Sequence, residues 1–499
     1  MLSRLRFNVL FLTAGFVFLL AFGNVYAQEE NWVIYLDMEY RLFSVPASGG
    51  EPIALVADPI QVRTYRIAAS GHVIYVANDD VLYSIPITGE SPVALSSTPL
   101  AQIENNFQVS SDGNWALYLA LQADNAVQLY SIPVTGGAST ALIPDDQSLY
   151  FNPYEIQSFY FITADSSSVV FTAQSARGVF NLFAVPIQGG EAVQINERLA
   201  SGGHVLGVQV HENRVVYLAD QVADGVYGLF ATSLAGGTPI QLNAPDSSLL
   251  DNSRFDISAD GSYLIYQSYG TSRSQLFSVP IGGGASTALT DPIDNLGWYM
   301  APETGTIAAA GYGILKAIVT PDGQRLPVDE FSYACCIFSP DGQRMLVMSW
   351  APGDTGNSGS LSSLYSYPID SGLAVPMTLG DLPLSRDWGA LFSPDGQYVA
   401  FIQADPNGIN QFYAAPADGS SQAIKLNGYP GSTSFGAYEM GITADSSTFV
   451  YINDEEAADF IDLYSVPITG GTAVRLTPDD SIGVQEIQLY PRASVWRAS

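Results

Sequence analysis

The sequence predicts an all-β chain folded as a β-propeller of about ten four-stranded blades. Three observations carry that expectation. A five-residue phrase returns about every 47 residues, Gly-rich turns stand at fixed offsets around it, and the two chain ends read as complementary halves of one blade.

The phrase in its full form is Leu42-Phe43-Ser44-Val45-Pro46. It recurs at residues 82–86, 129–133, 182–186, 276–280, 364–368 and 463–467, more loosely at 229–232 and 412–416, and in its most degenerate form at 314–317. An apolar run, a tight turn and a second apolar run precede it, as in Phe255-Asp256-Ile257, Ser258-Ala259-Asp260-Gly261 and Tyr263-Leu264-Ile265-Tyr266. Asp-Gly pairs at 112–113, 260–261, 341–342 and 395–396 suit the hairpin turn between those first two strands. The proline stops the third strand, because it has no N–H to give to a ladder. Gly pairs at 49–50, 136–137, 189–190 and 470–471 then lead into a fourth strand such as Ala473-Val474-Arg475-Leu476. Four short antiparallel strands repeated radially leave only short, protected edges.

The blades expected in ring order are 31–56, 64–96, 103–143, 155–196, 205–243, 253–290, 295–328, 333–379, 388–427 and 435–477. The first begins with second-strand material, Trp32-Val33-Ile34-Tyr35, and 484–499 supplies its missing first strand, closing the ring by pairing of the C-terminal strand with the N-terminal blade. Two smaller propellers, divided near the weak seventh repeat, are the alternative architecture.

Residues 1–27 read as a signal peptide. Arg4 and Arg6 precede an apolar run over 7–22, and Val25-Tyr26-Ala27 offers small residues for cleavage after Ala27. The remainder, 28–499, is expected to be periplasmic or secreted, with no stable membrane insertion after cleavage. The net charge is -31, from 18 basic and 49 acidic residues. Such a surface repels phosphate backbones, which excludes nucleic acid as a partner. Charged residues are only 13% of the chain and apolar ones 47%, so a folded core is expected and not a disordered acidic tail. The two cysteines, Cys335 and Cys336, are adjacent and cannot close an ordinary disulfide; they read as buried thiols.

Phe338-Ser339-Pro340-Asp341-Gly342-Gln343-Arg344, residues 392–398 and the stretch 463–477 resemble the WD40-like (PD40-type) repeats of TolB-like propellers. The resemblance spans nearly all of 28–499 and implies the fold. TolB itself carries an α/β domain ahead of a six-bladed propeller and works with a peptidoglycan-associated lipoprotein. Here the repeats start close to the expected cleavage site and are more numerous, so TolB's binding residues are not carried over.

No Gly-x-Ser-x-Gly motif is present, which argues against an attached serine hydrolase. The three histidines, His72, His204 and His211, read as packing or surface residues; the last two are an odd number apart, on opposite sides of a continuous strand. No catalytic residue and no cofactor motif emerges. Carboxylates recur just after the fourth strand, at Asp58, Asp145, Asp246, Asp291, Asp381 and Asp479. Converging at the channel mouth they could hold Ca²⁺, a hard cation that prefers oxygen donors; as turn starters they need no ligand. Tyr150, Phe151, Tyr154, Trp298, Trp388 and Tyr429 lie in the same stretches and suit stacking on sugar rings, or else fill the core between blades. The opposite face is expected to carry the longer loops between second and third strands, notably 351–363 and 453–460, the latter with Asp454-Glu455-Glu456. The functional expectation is an exported, non-catalytic binding module or scaffold for a glycan or a protein. The alternative is a carbohydrate-active lyase or hydrolase with carboxylates at the channel mouth.

Overall fold

The computed structural model describes residues 30–496 apart from 57–59, 98, 101–106, 123–126, 144–158, 177–178, 201–202, 245–248, 271, 313, 329–332, 351–360, 380–388, 406, 408, 428–438, 454–460, 479–482 and 492–493. The described residues form ten antiparallel sheets arranged as a propeller, with no helix among them. Each blade runs from an inner strand at the channel to a two-residue outer strand. Blade 1 is assembled from both ends of the chain. Its inner strand is Val484–Tyr490, followed outward by Trp32–Asp37, Leu42–Pro46 and Ile53–Ala54. Val33 stands opposite Leu489 and Tyr35 opposite Ile487, the closure the two ends predict.

The middle strands are apolar without alternation because both of their faces are covered. In blade 1, Ile34 and Leu36 pack against Tyr65, Val73 and Tyr75 of blade 2, while Val33 and Tyr35 pack against Val450 and Leu463 of blade 10. Such an apolar layer fills every gap between successive blades all the way round. The two-propeller alternative is therefore overturned. The weak seventh repeat packs on blade 6 through Trp298 and Ile307 and on blade 8 through Ala308, Leu315 and Ile318; it is an internal spoke, not a boundary. The serine of the repeated phrase adds a polar tie between blades: the Ser44 hydroxyl donates to the Ile87 carbonyl at 2.6 Å, and Ser131 donates to Ile187 in the same way.

Two expectations need correction. Not all of 484–499 belongs to blade 1. Ser494–Trp496 pairs with Met440–Ile442, the inner strand of blade 10, as a fifth strand on the channel side. An inner strand has an unpaired edge toward the channel, and the returning tail satisfies it. The loops between second and third strands also do not lie on the opposite face. Antiparallel order puts them on the same face as the loops between blades. There they bond directly: Val62 N–H to the Tyr40 carbonyl at 2.9 Å, Leu100 N–H to Asp80 at 2.8 Å and Val484 N–H to Ile461 at 2.8 Å. The turns between first and second strands share the other face with those between third and fourth, as the Ile87 N–H to Gly71 carbonyl bond shows.

Closure predicts a local test. Ile487 is fully buried between blades 10 and 1, so Ile487→Ala should cost about 2–5 kcal/mol. Ile424→Ala, on an exposed outer strand, should stay within about 0.5 kcal/mol of wild type. Urea melts of the two variants measure the difference.

Candidate functional site

Of the expected site residues, Asp58, Asp145, Asp246, Asp381, Asp479, Tyr150, Phe151, Tyr154, Trp388 and Tyr429 lie outside the described residues, as do 351–360 and 454–460 of the two long loops. Asp291 and Trp298 are described, and both belong to the junction of blades 6 and 7.

Trp298 is not at a loop. It sits in the inner strand of blade 7, Leu296–Met300, with no exposed surface, among Ile265, Leu276, Leu289 and Ile307. Strand alternation explains this: Tyr299 takes the exposed side, so Trp298 must take the side between blades. The Arg254 guanidinium lies 4.2 Å from its ring centroid. Trp298 is therefore core, not a ligand platform. The histidines are dispersed: His204 precedes and His211 ends the inner strand of blade 5, Val205–His211, so they lie at its two ends. His204 sits edge-on to Phe180, and His211 Nε2 is 3.1 Å from the Ala259 carbonyl.

Asp291 lines a cleft. The loop from blade 6 to blade 7, residues 290–294, is clamped to blade 6 by paired backbone bonds between Ile293 and Ser274 at 2.8 and 2.9 Å. It then lies against the hairpin between Ile307–Gly311 and Ile314–Val319, the second and third strands of blade 7. A Cβ at Gly311 would fall 2.5 Å from Ile293 Cγ2 and 2.7 Å from the Asp294 carbonyl oxygen, so only glycine permits that approach. Between loop and blade is a cavity of about 380 Å³, walled by Ile293, Ile314 and Ala317 and rimmed by Arg273, Asp291, Asp294, Tyr312, Lys316 and Arg325.

The degenerate phrase at 314–317 contributes Ile314, Lys316 and Ala317 to the lining. In eight blades an aromatic of the second strand stacks on the aromatic of the phrase, with ring centroids 5.1–5.8 Å apart, as Tyr266 does on Phe277 in blade 6. Each pair lies on the face turned toward the preceding blade. In blade 7 that place is held by Ala309 opposite Ala317. The phrase is also out of step, because the register shifts beyond Ala309: Ala309 pairs Ala317, the next residue pairs Leu315, and Lys316 is left as the bulged residue. A bulge re-aims a side chain, and here Lys316 joins the cavity wall.

The rim is unusual for so acidic a chain, bringing together three cations and two carboxylates. Asp291 pairs with Arg325 at 3.2 Å and Asp294 with Arg273 at 3.1 Å. Lys316, one of two lysines in the sequence, forms no ion pair among the described residues. Tyr312 is 72% exposed and held at φ +50°, a region that costs a bulky residue strain. Asp291 was legible from the sequence as a post-strand carboxylate. Lys316 and the missing ring pair were signalled only by the weakness of the seventh repeat.

On the other face, a more regular set of carboxylates occupies the turns between first and second strands: Asp112, Asp165, Asp260, Asp341, Asp395 and Asp445. Each accepts a hydroxyl bond of 2.5–2.7 Å from the Ser or Thr two residues earlier and a backbone N–H bond of 3.0–3.1 Å from two residues later. These oxygens build the turn.

Comparison with known proteins found no matching family model and no matching curated protein. Among solved structures, a eukaryotic initiation factor aligns with a TM-score of 0.52 at 10% identity, over 93% of this chain and 99% of the other. An oligogalacturonate lyase from Vibrio parahaemolyticus aligns at 0.37 and 12%, over 78% and 97%. A prolyl endopeptidase aligns at 0.37 and 10%, over 76% and 51%. These likenesses concern fold alone.

Two outcomes follow. Gly311→Ala should push loop 290–294 off blade 7 and cost about 1–3 kcal/mol by overpacking, read as a lowered urea midpoint. The Thr163 and Ser258 hydroxyl bonds, with backbone N–H bonds behind them, hold Asp165 and Asp260 below the ordinary 3.8. Their stabilisation is thus complete above that pH and is lost as pH falls through the lowered folded-state values. Asn at both positions should flatten the acid limb of Tm against pH.

Proposed function

We propose that this chain is an exported, non-catalytic propeller that works as a binding module in the periplasm or outside the cell, with a glycan or a protein as its ligand. The observation that supports the reading is the cleft between blades 6 and 7, on the face that carries the interblade loops. It combines aliphatic walls with a few convergent charged groups, and its volume falls within the ~300–1,000 Å³ of small-ligand pockets. Packed blades on either side would hold the variable loop rigid, so affinity belongs to loop and rim residues and not to the repeated strands. Export rests on the leader-like character of residues 1–27.

The competing enzyme reading is separated by one assay. Incubated with a polysaccharide panel, the mature chain should retain one or more members on affinity gels and release no new reducing or unsaturated ends. Release of such ends would replace the binding reading with catalysis. No retention of any polysaccharide, with no protein partner captured, would remove the binding reading.

A further inference from the structure

We propose that the hairpin tip between the second and third strands of blade 5 docks a partner protein, taking a short segment with lysine or arginine next to an aliphatic side chain. This goes beyond the cleft reading and uses different residues.

The surface is built by the longest such hairpin among the described residues. Its strands, Arg214–Ala223 and Val226–Ser233, run ten and eight residues and close with Ala223 opposite Val226. One carboxylate fixes the tip: Gly225 N–H donates to Asp220 Oδ2 at 3.1 Å, and His204 N–H donates to Oδ1 at 2.6 Å. The tip therefore holds its shape before any partner arrives, which lowers the ordering cost of docking. Its aliphatic side chains are uncovered. Val222 is 73% exposed and Val226 60%. On the side toward blade 6, Tyr227 packs on the cluster that includes Leu249, and the next residue of that loop, Leu250, is 45% exposed. Exposed aliphatics scattered singly are ordinary; three around one tip, rimmed by charged groups, mark an interaction surface.

Charge says what covers them. Among the described residues the buried carboxylates are Asp37, Asp220 and Asp462. Arg41 lies 2.7 Å from Asp37 and Arg475 lies 3.0 Å from Asp462. Asp220 has backbone N–H groups only, and no cation among the described residues. Buried charges are normally paired, and here exposed Asp224 and Asp251 add to the deficit. Burial, and after it the carboxylates Asp220, Asp251 and Asp224, raise the Tyr227 hydroxyl above its usual range, which places all three within electrostatic reach of that ring. A lysine or arginine from a partner supplies the missing counter-charge, while its stem and an aliphatic neighbour cover the valines. A lipid surface fits less well, because a net charge of -31 repels anionic headgroups.

The test uses the full mature chain and a short peptide alternating lysine and leucine as probe, read by calorimetry. Lysine–serine and glutamate–leucine peptides are the controls, and each should bind about tenfold more weakly than the probe. The triple variant Val222→Ser, Val226→Ser, Leu250→Ser keeps every charge and should lower probe affinity about tenfold; Asp224→Asn with Asp251→Asn should lower it about fivefold. The same treatment of the blade 1 tip, Met38→Ser with Tyr40→Ser, should leave affinity unchanged, because Asp37 there has its own arginine. The substituted side chains are exposed, so urea midpoints should not move; if the triple variant fails to melt cooperatively, the Asn pair decides. Unchanged affinity in the triple variant, an equal loss from the blade 1 variant, or lysine–serine binding as tightly as the probe would overturn the inference, since charge alone would then explain the binding. Capture of the chain by phosphatidylcholine vesicles, lost in the triple variant, would assign the tip to a lipid surface and overturn it too. Polysaccharide retention by the cleft should survive all of these substitutions, which keeps a failure of this surface distinct from a failure of the cleft.

Discussion

Everything in this molecule depends on each blade being sandwiched between two others. A four-stranded blade with an outer strand of two residues has little stability of its own, and its middle strands expose apolar side chains on both faces. Only a neighbour on each side removes that surface from water, at a gain of about 25 cal/mol per Å² of apolar area. Ten such interfaces form a closed cycle, with Val33 and Tyr35 of the first blade meeting Val450 and Leu463 of the last. An open row would leave two such faces in solvent. Strand Val484–Tyr490, which completes blade 1 from the far end of the chain, removes both.

The cleft lies at a junction formed by the weakest repeat. Blade 7 departs from the ring pairing that eight blades share, and its junction with blade 6 carries the cleft. In blade 7 alanines stand at the ring-pair positions, the buried Trp298 packs in the same cluster as Ala309, and the bulge brings Lys316 to the cleft. The neighbouring contacts stay intact: Trp298 and Ile307 still hold blade 6, and Leu315 and Ile318 still hold blade 8. The cleft sits on a junction whose apolar layer is intact. That is consistent with binding placed on a scaffold whose stability lies elsewhere in the ring.

The regular parts were legible in the sequence because they are local. The tight turn Ser258-Ala259-Asp260-Gly261, the proline ending eight of the ten third strands and the Gly pairs that follow several of them each encode their own geometry within a few residues. Asp291 was legible as a carboxylate following a strand, but its pairing with Arg325 joins residues 34 positions apart, which no spacing pattern encodes. Trp298 was misplaced as a loop aromatic. Its strand is bounded by Asn295 and Pro302, which read as loop, and its burial follows from which side of the inner strand faces blade 6. The face carrying the 351–363 and 453–460 loops was misassigned because the sequence states strand order, while alternation of direction decides which turns share an end.

By itself the sequence determined the all-β class, the number of repeats, the turn chemistry and the pairing of the two chain ends, since periodic hydrophobicity and turn residues act over short range. The tertiary structure alone decided that the weak seventh repeat is a spoke of one ring and that the last residues return to blade 10. It also decided that loop 290–294 and a bulged lysine line one cleft. Those outcomes depend on which surfaces meet across the chain, and only closure of the ring brings them together.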